Sequence, residues 1–271
     1  MRSRVFDLSY ELAADVILVP VEDGSVRLLD MAGSFHAVSA VGARMLHAVL
    51  ADGAAAAVPR LAEHYGVDHA RVEGDLTVFL RDLEGRGLLR ARGNVREEKR
   101  RGLAAPLVER IVGAVHRCVR DPARKARSLL VLARISFGLL GWTKTMEVWR
   151  RAHASFPVRE PEDADKPILD AVDRTVRAAA TGHIVTMMCK ESALCSWSLA
   201  RAAGLDASVV VGIDLYPIAG HCWCEVGTAT PGDDADRIER FAPVGRWLES
   251  QDQPGRSQGR DDGRFHSIGA R

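Results

Sequence analysis

The chain has 271 residues, 47% hydrophobic and 27% charged, with 37 Lys plus Arg against 36 Asp plus Glu. That length carries one or two domains with a core of their own. A formal net charge of +1 excludes the strongly basic surface of a dedicated nucleic-acid binder.

Residues 1–7 mix charge with apolar side chains and open no secretory signal, and an extra strand is possible around residues 5–8. The run Val16-Ile17-Leu18-Val19-Pro20-Val21 is rich in β-formers, Glu22-Asp23-Gly24 is a turn signal, and residues 25–31 follow as a second strand. Together they predict a hairpin. Ser39 opens a helix with Val41, Ala43, Met45, Leu46, Val49 and Leu50 on its apolar face, and Asp52-Gly53 stops it. A second helix spans residues 54–65 and ends at Gly66. A third starts at Asp68 or His69, repeats apolar side chains at Val72, Leu76, Phe79, Leu80 and Leu83, and ends at Gly85 and Gly87.

This order, with the hairpin into Ser39-Ala40-Val41-Gly42-Ala43, the Asp52-Gly53 stop and residues 78–84 before Gly87-Leu88-Leu89, resembles the small peptide chaperone of pyrroloquinoline quinone biosynthesis. The same winged-helix-like domain serves as the recognition element of many ribosomal-peptide modifying enzymes. There it grips a leader peptide as an added strand at the sheet edge, where unpaired N–H and C=O groups await a partner. The resemblance implies leader contacts from the second strand and third helix here: Val26, Arg27, Leu28, Leu29, Asp30, Met31, Val72, Leu76 and Phe79. A winged-helix DNA reader is the rival. The third helix argues against it, since His69-Ala70-Arg71-Val72-Glu73-Gly74-Asp75-Leu76 carries as many acids as bases, and base readout needs Arg, Lys, Asn or Gln.

Residues 94–101 are a charged, solvated stretch. Helical periodicity follows at 106–120 and 122–141, a polar acidic connector at 157–167, and an amphipathic helix at 168–180 with Ile168, Leu169, Val172, Val176 and Ala180 on one side. The most apolar segment, 128–142, carries Arg134 near its middle. It falls short of the ~20 apolar residues a spanning helix needs, so it predicts a buried helix in place of a membrane span and leaves only association through a partner open.

The five cysteines are Cys118, Cys189, Cys195, Cys222 and Cys224. The odd number and missing signal predict reduced thiols in the cytosol. A zinc site is disfavoured: no C-x-x-C pair occurs, and Cys189 and Cys195 would lie about 240° apart around a helix. Cys189 opens a helix that runs to Gly204, where free N–H groups and the dipole favour thiolate. Residues 205–211 read as a strand, 212–220 as a turn and loop, and 221–226 as a second strand. The second strand sets His221, Trp223 and Glu225 on one face and Cys222, Cys224 and Val226 on the other. An acidic turn, Gly232-Asp233-Asp234-Ala235-Asp236, comes next.

Cys on a helix, His on a strand and Asp beyond it is the chain order of the transglutaminase-like cysteine hydrolases. More closely, Cys189, Gly204, Val211-Gly212-Ile213, His221-Cys222-Trp223-Cys224-Glu225, Asp233 and Phe241-Ala242-Pro243 resemble the leader peptidase of lasso-peptide biosynthesis. That family usually has Leu directly after its Cys and Arg-Ser three to four residues on, where this chain has Lys190, Glu191 and Ser192. The resemblance implies a catalytic triad of Cys189, His221 and Asp233, with Asp234 and Asp236 as alternatives for the third member. It also implies a lasso-peptide precursor as substrate and an ATP-dependent, asparagine-synthetase-like macrolactam synthetase as partner. No cofactor, metal or nucleic acid is expected of this chain, and a cytoplasmic location is.

The reading is thus α+β: a leader-recognition domain at 1–92, with a small antiparallel sheet and three helices, then a linker at 93–104. A transglutaminase- or papain-like cysteine protease domain with a helical N-terminal part follows at 105–249, and a disordered tail at 250–271. A transglutaminase or amidase acting on another substrate, and a non-catalytic peptide carrier, are the other function classes the same residues allow.

Overall fold

The computed structural model of the chain describes Phe6 and residues 8–92, 96–183 and 185–248, with backbone alone for 96–103. The described chain divides in sequence between Glu97 and Glu98 into two compact units. The tail at 250–271 lies outside the described residues.

In the first unit, β1 (Tyr10–Leu12) pairs with β5 (Leu89–Ala91), and β2 (Val16–Pro20), β3 (Val26–Asp30) and β4 (Ser34–Val38) form a second antiparallel sheet in that order. Of the strand considered at residues 5–8, residues 5 and 7 lie outside the described residues and Phe6 sits in a 3-10 turn; pairing in the described chain starts at Tyr10, opposite Ala91. Three helices follow, α1 (Ala40–Asp52), α2 (Ala54–Tyr65) and α3 (His69–Gly85). The punctuation seen in the sequence has local causes. The Ser39 hydroxyl accepts the N–H of Gly42 at 3.2 Å, satisfying a donor that the first turn of α1 leaves free. Gly66 adopts φ +62°, the left-handed conformation that ends α2 with little penalty for glycine. Leu18 and Leu28 from the sheet and Leu46, Leu61, Leu76 and Leu80 from the helices close one hydrophobic core.

The second unit begins with α4 (Arg96–Cys118) and α5 (Pro122–Ala152). Residues 96–104, read from their charge as linker, are helical in backbone; residues 93–95 lie outside the described residues. Gly141 interrupts α5 with φ +75°. Trp149 Nε1 then donates to Ser136 Oγ at 3.1 Å across thirteen residues of sequence. A straight helix would separate them by ~20 Å, so α5 doubles back at Gly141. By length and composition α5 could cross a membrane. Its fold-back, and the burial of Leu129, Leu130, Ala133, Leu140, Trp142 and Trp149, place it in the core of this unit instead.

Helix α6 (Lys166–Thr181) and helix α7 (Cys189–Ala202) complete the helical layer. Helix α7 is central, with α5 and α6 packed along it and the sheet on its remaining side. That sheet has β6 (Ser208–Leu215) between β7 (Ile218–Glu225) and β8 (Ala242–Trp247), all antiparallel. The expected loop at 212–220 is therefore mostly strand: β6 and β7 are ladder-paired out to Leu215 and Ile218. A single turn of helix, α8 (Ala235–Ile238), capped by Asp234, precedes β8.

Candidate active site

Helix α7 begins at Cys189, and its N-cap residue Met188 has extended backbone. The thiol thus stands at the end of the helix where N–H groups are unpaired, and the backbone N–H groups of Lys190 and Cys222 are both directed at it. The third contact is His221, hydrogen-bonded to the Cys189 side chain. His221 Nε2 meets Asp233 Oδ2 at 2.5 Å, which leaves Nδ1 as the ring nitrogen for the sulfur. The structure therefore brings Cys189, His221 and Asp233 into one hydrogen-bonded row. Asp234 and Asp236 stand outside it: Asp234 caps α8 by accepting the N–H of Asp236 at 3.2 Å.

Charge in the row is set by competition. Burial of Cys189 pushes its thiol up, but the hydrogen bond and charge of His221 and the two N–H groups carry it below the usual thiol value. Burial likewise pushes His221 down, yet Asp233 and Cys189 raise it to about 9. Burial pushes Asp233 up, and the bonds from His221 and the Asp234 N–H bring it down. All three shifts favour thiolate, imidazolium and carboxylate together. The other thiols of the sheet and helix, Cys195, Cys222 and Cys224, are buried and pushed up, as expected of inert core cysteines.

Three sets of neighbours support the row, and among them the sequence did not mark Asp173, Arg177 or Arg134 as belonging to the site. Asp173 of α6 accepts the Gly232 N–H at 2.9 Å, and Arg177, paired with Asp173 at 2.8 Å, donates to the Asp233 carbonyl. These hold the acidic turn from below. Gly232 itself, at φ +90°, approaches so closely that a Cβ there would lie 2.4 Å from Ser196 Oγ on α7. On the other side of the thiol, buried Glu191 accepts the Met188 N–H. Arg134 of α5 lies 3.9 Å from the Glu191 carboxylate and donates to the Thr186 carbonyl at 3.0 Å. The third support is aromatic. Phe241 lies 5.1 Å from the His221 ring, and Trp223 packs over Gly212, where a Cβ would come within 2.7 Å of the indole. Trp223 and Trp197 are core residues, each 1% exposed.

The residues expected to contact a leader fall differently. Strand β3 is the middle of its sheet, paired with β2 on one side and β4 on the other. Its backbone has no free edge to offer, which corrects the expectation for residues 26–31. Val26, Leu28, Leu29, Met31, Val72 and Leu76 are buried in the first unit, and Phe79 is partly buried. Arg27 and Asp30 are partly exposed, Arg27 donating to Ser25 Oγ at 3.0 Å. The free edges belong to β2 and β4. A Cβ placed on Gly42 would meet Val38 at the end of β4 and the Phe79 ring of α3, and Val41 and Val78 are 51% and 71% exposed in the same two helices, α1 and α3.

Comparisons with known proteins agree with this division. Residues 15–89 match the family model of coenzyme PQQ synthesis protein D (PqqD), and residues 129–246 match that of the transglutaminase-like superfamily. Searches among curated proteins and among solved structures returned no match. The chain is a fusion of a PqqD-type recognition element and a transglutaminase-like domain.

Proposed function

We propose that this chain is a cysteine peptidase that removes the leader from a lasso-peptide precursor, its first unit holding the leader while its second cuts. The observation that carries the reading is His221, bonded at once to the helix-terminal thiol of Cys189 and to Asp233. In this reading Cys189 attacks the scissile carbonyl as thiolate, and His221 delivers its proton to the leaving amine. Water then attacks the acyl-enzyme with His221 as base. Asp233 holds the ring in register and stabilises its charged form.

The leader adds as a strand to an edge, because only a strand with one partner can take another, and of the edges β2 and β4 it is β4 that packs against α1. The exposed Val41 and Val78 supply apolar contact there. The freed amine would pass to an asparagine-synthetase-like macrolactam synthetase in the cytoplasm; this chain contributes the cut alone.

Incubation with a lasso-type precursor tests the reading. Wild-type protein yields free leader and core, and Cys189→Ala loses about 10³-fold or more of the rate. Full cleavage by Cys189→Ala would leave the chain a carrier. Transfer of the acyl group to an added amine without peptide cleavage would make it a transglutaminase of another substrate, the alternative that the superfamily match keeps in view.

A further inference from the structure

Resting on the peptidase reading above, we propose that the outer edge of β7 at residues 218–220 receives the polypeptide flanking the scissile bond as an added strand. The catalytic unit would then take its substrate extended and hold it by main-chain hydrogen bonds. It would select a backbone amide in a strand-like segment over a side-chain amide.

The direction of the β7 backbone can be worked out from one proline. Gly212 of β6 lies between His221 of β7 and Pro243 of β8. Pro243 has no N–H, so its pairing with Gly212 lacks the reciprocal bonds of a hydrogen-bonded pair. Gly212 therefore turns its N–H and C=O toward His221, and His221 turns its own inward. Alternation then turns the N–H and C=O of Gly220 and Cys222 away from β6. An independent contact agrees, since the Cys222 N–H is directed at the Cys189 thiol. No described strand lies beyond β7. The outward row thus starts at the nucleophile and runs past Gly220 to Ile218. Gly220 is exposed and Ile218 is 42% exposed, and Gly220 offers no side chain to obstruct an incoming strand.

An edge of this kind reads extended backbone and leaves side chains largely unread. Sequence choice would then fall to the leader-binding unit, and the cut site would be tolerant. The occupant is argued from position: a strand laid along this edge has its carbonyl delivered where the row meets Cys189.

Two alkylating peptides of opposite reach test it, acetyl-trialanyl chloromethyl ketone on the acyl side and iodoacetyl-trialanine amide on the leaving-group side. Iodoacetamide is the bare control, and each rate on the full-length chain is divided by the rate with glutathione. At least one peptide should alkylate Cys189 about tenfold faster than iodoacetamide on this scale. N-methylation scanned along it should remove the gain at alternate residues, as loss of single hydrogen bonds predicts. Gly220→Pro, which deletes an outward N–H but no ladder bond, should also remove it, while Gly220→Ala keeps it and iodoacetamide reacts equally with all three proteins. Equal normalised rates for peptides and iodoacetamide, or a flat N-methyl scan, would overturn the edge site. Failure of iodoacetamide to modify Cys189 at all would instead sink the nucleophile, and the edge proposal with it.

Discussion

His221 is 3% exposed, and a buried imidazole ordinarily sheds its proton. Here Asp233 at 2.5 Å and the Cys189 thiol reverse that, taking His221 from 6.5 to about 9. The sign follows from linkage. The folded chain holds this proton more tightly than the unfolded chain. The contribution to stability is therefore complete below 6.5 and is lost as pH rises through about 9. Replacing Asp233 by Asn removes the largest of the raising influences while keeping shape. In the peptidase reading, the basic limb of kcat/KM lies near pH 9 in the wild type and moves down in Asp233→Asn, with a rate loss of about 10²-fold or more. The stability gap between the two proteins, from urea titrations, is widest below pH 6.5 and narrows toward 9. A basic limb unmoved by the substitution would remove Asp233 from the row.

Element by element, the sequence was readable where one local cause decides the outcome. Ser39, Gly53 and Gly66 mark α1 and α2 because capping and left-handed turns depend on single residues. The helix start at Cys189 and the strand of His221 were readable in the same way, but grouping them with Asp233 came from the resemblance, which left Asp234 and Asp236 open as alternatives. Short strands were not. Strands β1, β4 and β8 lack a β-rich run and exist because a neighbour pairs with them, Tyr10 with Ala91 and Ser34 with Asp30, for instance. Assigning leader contact to β3 failed for the same reason, because whether a strand is an edge depends on β4, which carries little signal of its own. Nor could Asp173, Arg177 or Glu191 be singled out as supports, as ordinary helical charges reveal their partners only in three dimensions.

The junction of α4, α5 and α7 shows what the sequence left dark. His153 Nε2 lies 2.8 Å from Ser198 Oγ and 3.0 Å from His116 Nε2, and His153 Nδ1 meets the Trp149 carbonyl at 2.8 Å. Burial holds His153 at about 4 and His116 at about 3, so both rings are neutral and unite the three helices. These depressed values have the opposite sign to His221: the stabilisation is present above 6.5 and drains away as pH falls toward 4. For His153 alone the change is on the order of 3 kcal/mol. Urea midpoints of the wild type should therefore fall steeply between pH 6.5 and 4. His153→Phe, less stable at neutral pH, should show a shallower slope. Parallel slopes would mean that His153 keeps its proton when folded.

At the scale of the whole chain, a PqqD-type element and a transglutaminase-like unit share one polypeptide, and the proposed division of labour has a thermodynamic consequence. A leader held by the first unit makes the encounter of scissile bond and Cys189 intramolecular, at an effective concentration of up to the millimolar range for a short flexible connection. Recognition is then spent on the leader, so a precursor lacking its recognition segment is cleaved more slowly by about 10²-fold. Free leader peptide, added in trans, competes for the β4 edge and slows cleavage of the intact precursor. It leaves the rate of Cys189 alkylation by iodoacetamide unchanged, because the thiol and its hydrogen-bonded row are complete within the second unit. This pairing of readouts separates occupancy of the recognition element from damage to the nucleophile. Equal cleavage of precursors with and without the segment, or free leader that slows alkylation as much as cleavage, would mean that the two units do not divide the work in this way.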